Sequence, residues 1–174
     1  YFVAEENASS VPTAREIVPN INRMAAAMRA AGVSVVWIQT TATGAMERWA
    51  NYHKRMLTPE NAARRLKNLA EDSEGFKLYP KLAALPGDLY VKKIKYSAMI
   101  PDSSNLHQVL AQNGVDTLLI AGTKTNACCE STEVDLVLRR RERSGQLHRY
   151  RYALQIGQFA AALSGRRRHH RRLH

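Results

Sequence analysis

No run of 18 or more apolar residues occurs in the 174-residue chain, so no membrane-spanning helix is expected. The start shows no charged segment followed by an apolar signal core, and the reading is a soluble, cytoplasmic protein with no membrane partner. Cysteine is scarce: only Cys128 and Cys129 are present. Neighbouring cysteines fit disulfide geometry poorly across a trans peptide, so two free thiols in a reducing compartment are expected rather than a disulfide scaffold. With no second cysteine pair and no nearby histidine they make a poor zinc site. His53 and His107 read as isolated surface residues, and no metal or other cofactor is expected. No internal repeat is evident.

Acidic residues are almost missing from one region. Residues 1 to 138 hold 15 Lys and Arg against 14 Asp and Glu, whereas residues 139 to 174 hold 11 Arg against the single acid Glu142. The formal net charge of +11 therefore belongs to the last 36 residues, and a general nucleic-acid-binding surface is not expected on the body of the protein.

What is present is an alternation of elements. "TARE", from Thr13 to Glu16, has capping-box spacing, and Ile17, Ile21, Met24 and Met28 recur at helical intervals until Gly32. Pro19 lies within that run, so the regular helix is expected to begin near it. "VSVVWIQ" (residues 33 to 39) reads as a strand covered on both faces. Residues 40 to 86 form a mostly polar excursion with early aromatics Trp49 and Tyr52 and a short helix opened by Thr58 and Pro59. Then follow a strand at 88 to 95, a helix at 102 to 114 with Leu106, Val109 and Leu110 inward, a buried strand at 115 to 122, and another helix. The order predicts an α/β fold: a three-layer, mostly parallel sheet with helices on both faces.

In such sheets, ligands bind beyond the carboxyl ends of the strands, where the following helix presents free N–H groups. "LLIAG" followed by "TKTNACCEST" puts Cys128 in or beside a first helical turn, where a thiol close to a lysine is nucleophilic. The adjacent cysteine points roughly 100° further round, so only one of the two can face the cleft. A small, buried core cysteine is the alternative. Strand alternation puts Lys93 and Lys95 on one face and Lys92 on the other, which leaves two candidate lysines.

Two segments carry a more specific signal. "KIKYSAMIPDSSNL" and "DTLLIAGTKTNACCEST" together resemble the isochorismatase-like cysteine hydrolases, which include nicotinamidases, N-carbamoylsarcosine amidohydrolases and ureidoacrylate amidohydrolases. The likeness extends over roughly residues 1 to 138. It implies that Cys128 is the nucleophile, that Lys93 is the catalytic lysine and that Cys129 is a packing residue. It also implies a cis peptide between Thr123 and Lys124, with the N–H groups of Lys124 and Cys128 forming an oxyanion hole. Gln39, at its strand end, and Tyr96, the aromatic of the first segment, are candidate substrate-binding residues; for Gln39 an ordinary polar strand end is the other reading. The expected substrate is a small amide or ureide, and the family implies a homo-oligomer.

The third family residue is an aspartate in an Asp-x-Gln-x-x-Phe motif. Tyr1 and Phe2 resemble the tail of that motif, which would put the aspartate four residues ahead of Tyr1 and leave the chain without its first strand. Beyond Arg139 the family pattern stops and no strand is evident. A slip of reading frame there, or a genuine basic tail that is solvated or contacts polyanions, are the two readings of that segment. The competing function is accordingly a catalytically inactive relative or binding module.

Overall fold

Pro19 settles where the first regular helix begins. The computed structural model describes residues 13–115, 117–139, 151–154 and 161–163. In it a single turn, α1 (Thr13–Glu16), breaks at Ile17 before α2 (Val18–Ala30) starts with Pro19 in its first turn. Proline is tolerated there because that N–H has no intrahelical acceptor. The helix ends at Gly32, whose φ of 72° favours glycine, while Gly32 and Val33 return their N–H groups to the carbonyls of Arg29 and Met28, each at 2.9 Å. Ile21 and Ala25 are buried, with Ile17, Met24 and Met28 packed beside them. The helical spacing in the sequence is thus the spacing of the packed face.

Strand β1 (Val36–Thr40) explains why its sequence is nearly all apolar. Val35 and Trp37 pack with α2, whereas Val36 joins Val91, Leu106, Leu110, Leu118 and Leu136 in a second cluster. Successive residues point to opposite faces, and both faces are covered by helices. This is an α/β fold.

The excursion comprises α3 (Ala45–Arg48), a π-type turn (Tyr52–Met56) and α4 (Pro59–Asn68). Thr58 caps α4 by accepting the Asn61 N–H at 3.3 Å. The segment is tied to the sheet edge, because Ala42 donates to the Leu69 carbonyl at 2.8 Å and Thr41 to the Lys93 carbonyl at 2.9 Å. Strand β2 (Leu89–Lys93) pairs parallel with β1, setting Thr40 opposite Lys93.

Helix α5 (Leu106–Gln112) begins four residues later than its sequence suggests. Asp102 has a φ of 64°, and the Ser104 hydroxyl, which donates to the Ala98 carbonyl at 2.6 Å and accepts the Leu106 N–H at 3.0 Å, starts the helix instead. Leu106 and Leu110 are buried and Val109 packs against them. Strand β3 (Thr117–Ile120), a π-type turn (Thr125–Cys129) and α6 (Glu130–Arg139) follow.

Beyond α6 the expectation of no further strand needs correcting. Strand β4 (Arg151–Leu154) pairs parallel with β3, and β5 (Ala161–Leu163) pairs antiparallel on its other side. The edges of β3 present unpaired backbone groups, and the short apolar stretches at 152–154 and 161–163 supply partners for them. The rest of the arginine-rich segment, and with it the choice between a frame slip and a basic tail, lies outside the described residues, as do Tyr1 and Phe2. Among the described residues no helix is long and apolar enough to cross a membrane.

Candidate active site

Burial separates the three lysines, including the two that strand periodicity left unsorted. Lys92 is exposed and pairs with Glu71 across the sheet edge. Lys95 lies past the end of β2, and its carbonyl accepts from the Lys93 ammonium at 2.9 Å. Lys93 itself, the last residue of β2, is only 5% exposed. Its Nζ stands 3.4 Å from the Sγ of Cys128. Burial pushes the Lys93 ammonium below its ordinary value, with the nearby Cys128 sulfur acting in the opposite sense.

Cys128 reaches this position because of the turn that follows β3. Gly122 has a φ of 153°, and a Cβ there would stand 3.6 Å from the Cys129 sulfur. The Thr123–Lys124 peptide is cis. The chain then winds through the π-type turn, in which the N–H groups of Ala127, Cys128 and Cys129 converge on the Lys124 carbonyl at 3.2, 3.0 and 3.4 Å. Such wide turns recur at functional sites. The Cys128 N–H, expected to face a substrate oxygen, is therefore directed at Lys124 in this structure.

The two thiols differ in surroundings. Cys128 is half-buried and beside Lys93, while Cys129 is 7% exposed. Burial pushes the Cys129 thiol up to about 11, with the neighbouring Cys128 adding to the rise.

Two hydroxyls that sequence reasoning passed over hold this geometry. Ser103, buried, accepts the N–H groups of Ile94 and Lys95 at 3.2 and 2.8 Å and donates to the Ser97 carbonyl at 3.3 Å, fixing the chain that leaves Lys93. Thr132, also buried, lies four residues after Cys128 and donates to its carbonyl at 2.6 Å. The only signal for Thr132 in the sequence is that spacing, which suits a hydroxyl bonding back one helical turn.

The predicted substrate-contacting residues have separate surroundings. Gln39 donates to the Phe76 carbonyl at 3.0 Å, so its amide fastens the excursion to the strand end. Tyr96 is partly exposed and belongs to an aromatic group. Its hydroxyl donates to that of Tyr52 at 3.0 Å, and its ring meets Trp49 and Tyr52 edge-on at 4.9 and 5.6 Å. Burial and that hydrogen bond push the Tyr96 phenol up to about 12. Trp49 and Tyr52 stack at 3.9 Å, and Arg65 from α4 lies over both. These excursion residues carried no chemical assignment from sequence, since spacing alone does not bring them to Tyr96.

His53 corrects the expectation of a surface histidine. It is 4% exposed, its Nδ1 lies 3.2 Å from the Trp49 carbonyl, and its ring contacts Trp49 and Tyr52 edge-on. The π-type turn at Tyr52–Met56 rotates it inward. His107 is half-buried rather than exposed. Among the described residues, no group of three or more His, Cys, Asp or Glu side chains is arranged to hold a metal ion.

Comparison with known proteins bears on this geometry. Residues 1–139 match the family model for the isochorismatase domain. The chain is similar to a ureidoacrylate amidohydrolase of Pseudomonas syringae pv. syringae, with 32% identity over 129 residues covering 67% of this chain and 50% of that protein. It spans about half the length of the curated relatives it matches. A cysteine hydrolase from Pseudomonas syringae pv. phaseolicola superposes with a TM-score of 0.63 and 28% identity, covering 79% of this chain and 61% of the other. The fold is shared with a nicotinamidase from Bacillus subtilis, with a TM-score of 0.58, 24% identity and coverage of 79% and 73%. An N-carbamoylsarcosine amidase from Thermoplasma acidophilum has it too, with a TM-score of 0.59, 18% identity and coverage of 87% and 78%.

Proposed function

Because this chain belongs to the isochorismatase family, we propose that it carries the nucleophile of a hydrolase that cleaves a small amide or ureido C–N bond. The observation behind the proposal is the contact between the buried Lys93 ammonium and the Cys128 sulfur at 3.4 Å. A positive charge fixed beside a thiol stabilises the negative charge that a sulfur nucleophile must carry.

In the proposed reaction the Cys128 sulfur attacks the carbonyl carbon, and the carbon–oxygen π pair moves onto oxygen. The Lys124 and Cys128 N–H groups are assigned to that oxyanion, the second turning from the Lys124 carbonyl it meets at 3.0 Å. A donor in such a position is commonly worth ~10²–10³ in rate. Collapse breaks the C–N bond, and the nitrogen leaves with a proton as ammonia or an amine. Water then attacks the thioester, releasing the acid and regenerating the sulfur. The proton transfers are assigned to the aspartate that the family pattern puts four residues ahead of Tyr1, a contribution commonly worth ~10²–10⁴.

The test is turnover of an amide and ureide panel by a chain extended upstream to include that aspartate. Activity that disappears in Cys128→Ala and in Lys93→Ala is the expected result. Undiminished turnover by Cys128→Ala would remove the mechanism.

A further inference from the structure

Arg65 lies half-buried on α4, with its guanidinium carbon 5.5 Å from the centre of the Tyr52 ring and 6.0 Å from that of Trp49. Those rings stack at 3.9 Å with planes 9° apart, and Tyr96 braces both from the side. The guanidinium is thus held on a built platform. The arginines next in sequence to Arg65 and to Trp49 are otherwise engaged: Arg64 donates to Asn61 and Arg48 to the Asp102 carbonyl. A guanidinium has five N–H donors, and among the described residues those of Arg65 have no hydrogen-bond or ion-pair partner. Tyr96, which meets both rings of the stack, lies three residues after Lys93, whose ammonium is 3.4 Å from the Cys128 sulfur, so the platform borders the cysteine–lysine pair.

A guanidinium held on an aromatic stack with its planar fork of donors unused is suited to an anion. The fork matches a carboxylate in a bidentate pair, whereas a neutral amide offers it only a weaker acceptor. We propose that Arg65, seated on the Trp49–Tyr52 stack, is a specificity-determining residue that binds a carboxylate carried by the amide or ureide substrate. The proposal rests on the hydrolase reading above for the identity of the substrate, but its test is one of binding and needs no turnover.

The full 174-residue Cys128→Ser chain is titrated calorimetrically with N-carbamoylglycine and with its neutral counterpart N-carbamoylglycinamide. The acid should bind roughly 10- to 100-fold more tightly, the range expected for hydrogen bonds to a charged group. Arg65→Gln should abolish that preference, and Arg65→Lys, which keeps the charge but loses the planar fork, should retain part of it. Equal binding of acid and amide, no binding of the acid, or a preference that survives Arg65→Gln would each overturn the proposal. Failure of the hydrolase reading would show separately, as carboxylate-selective binding without turnover in the upstream-extended chain.

Discussion

The Thr132 hydroxyl donates to the Cys128 carbonyl at 2.6 Å and accepts the buried Ala98 N–H at 3.1 Å. One side chain thus joins the turn that carries Cys128 to the loop that continues from Lys93. Thr132→Val keeps the shape but leaves the Ala98 N–H unpaired, at a cost of about 1–3 kcal/mol. Denaturant unfolding should show that loss. In the upstream-extended chain kcat should fall more than KM rises, because what loosens is the alignment of sulfur and ammonium rather than a substrate contact.

The two thiols should be distinguishable by alkylation. Cys128 is accessible and beside an ammonium, while Cys129 is buried and its thiol is held at about 11. Iodoacetamide near neutral pH, followed by peptide mass mapping, should label Cys128 fast and Cys129 slowly. Equal, slow labelling of both would argue that Lys93 does not activate the sulfur.

What could be read from the residue string and what could not follows from the range of the interactions. Periodicity located α2 from Ile17, Ile21, Met24 and Met28, and the apolar run at Val35, Val36 and Trp37 announced a strand covered on both faces, because these are local patterns against a buried surface. The two motifs contain Lys93 and Cys128, which the fold brings within 3.4 Å of each other. Periodicity could not tell Lys93 from Lys95; burial at the last position of β2 sets Lys93 apart. The Trp49, Tyr52, Arg65 and Tyr96 group was not legible, since it depends on how a polar excursion folds back over the strand ends. Strand β5 was missed for a similar reason: three small apolar residues become a strand only because β3 offers an edge.

Asp88 should set the acid limit of the fold. Its carboxylate is 4% exposed, and although burial alone would raise it, hydrogen bonds from Arg29, the Leu85 N–H and the Trp37 indole hold it down to about 2. A folded value below the unfolded 3.8 means that the stabilisation is fully present above that pH and is lost as the pH falls toward about 2. The shift corresponds to roughly 2 kcal/mol. Acid unfolding followed by circular dichroism should show this loss in the native sequence. Asp88→Asn should begin less stable near neutral pH and lose less over the same range.

Gly75 is required by space rather than by backbone angle. A Cβ built there would stand 2.2 Å from the Asn68 carbonyl oxygen at the end of α4. Backbone on both sides leaves little room to yield, so Gly75→Ala should cost about 1–3 kcal/mol, as overpacked sites do. A lowered melting temperature is the expected result, and an unchanged one would mean that the loop after α4 can shift freely.

Replacing Lys93 by methionine should separate stability from chemistry. The buried ammonium has a folded value below its ordinary 10.5, so the charged form is disfavoured by folding. Stability should therefore increase with pH between the lowered folded value and 10.5, as the ammonium of the folded state gives up its proton. Methionine has similar length and no charge to desolvate, and exchanging a buried charge for a well-packed apolar group is often neutral or stabilising. The hydrogen bond to the Lys95 carbonyl is lost, which offsets part of the gain. Lys93→Met should accordingly melt at or above the temperature of the native sequence near neutral pH, with the difference shrinking as the pH approaches 10.5. Cys128 in the same variant should react more slowly with iodoacetamide, because the charge 3.4 Å from its sulfur has gone. A variant destabilised by ~3 kcal/mol or more, the cost of breaking a buried pair that holds a structure together, would mean that Lys93 serves the fold, and the cysteine–lysine contact would lose its claim to be chemical.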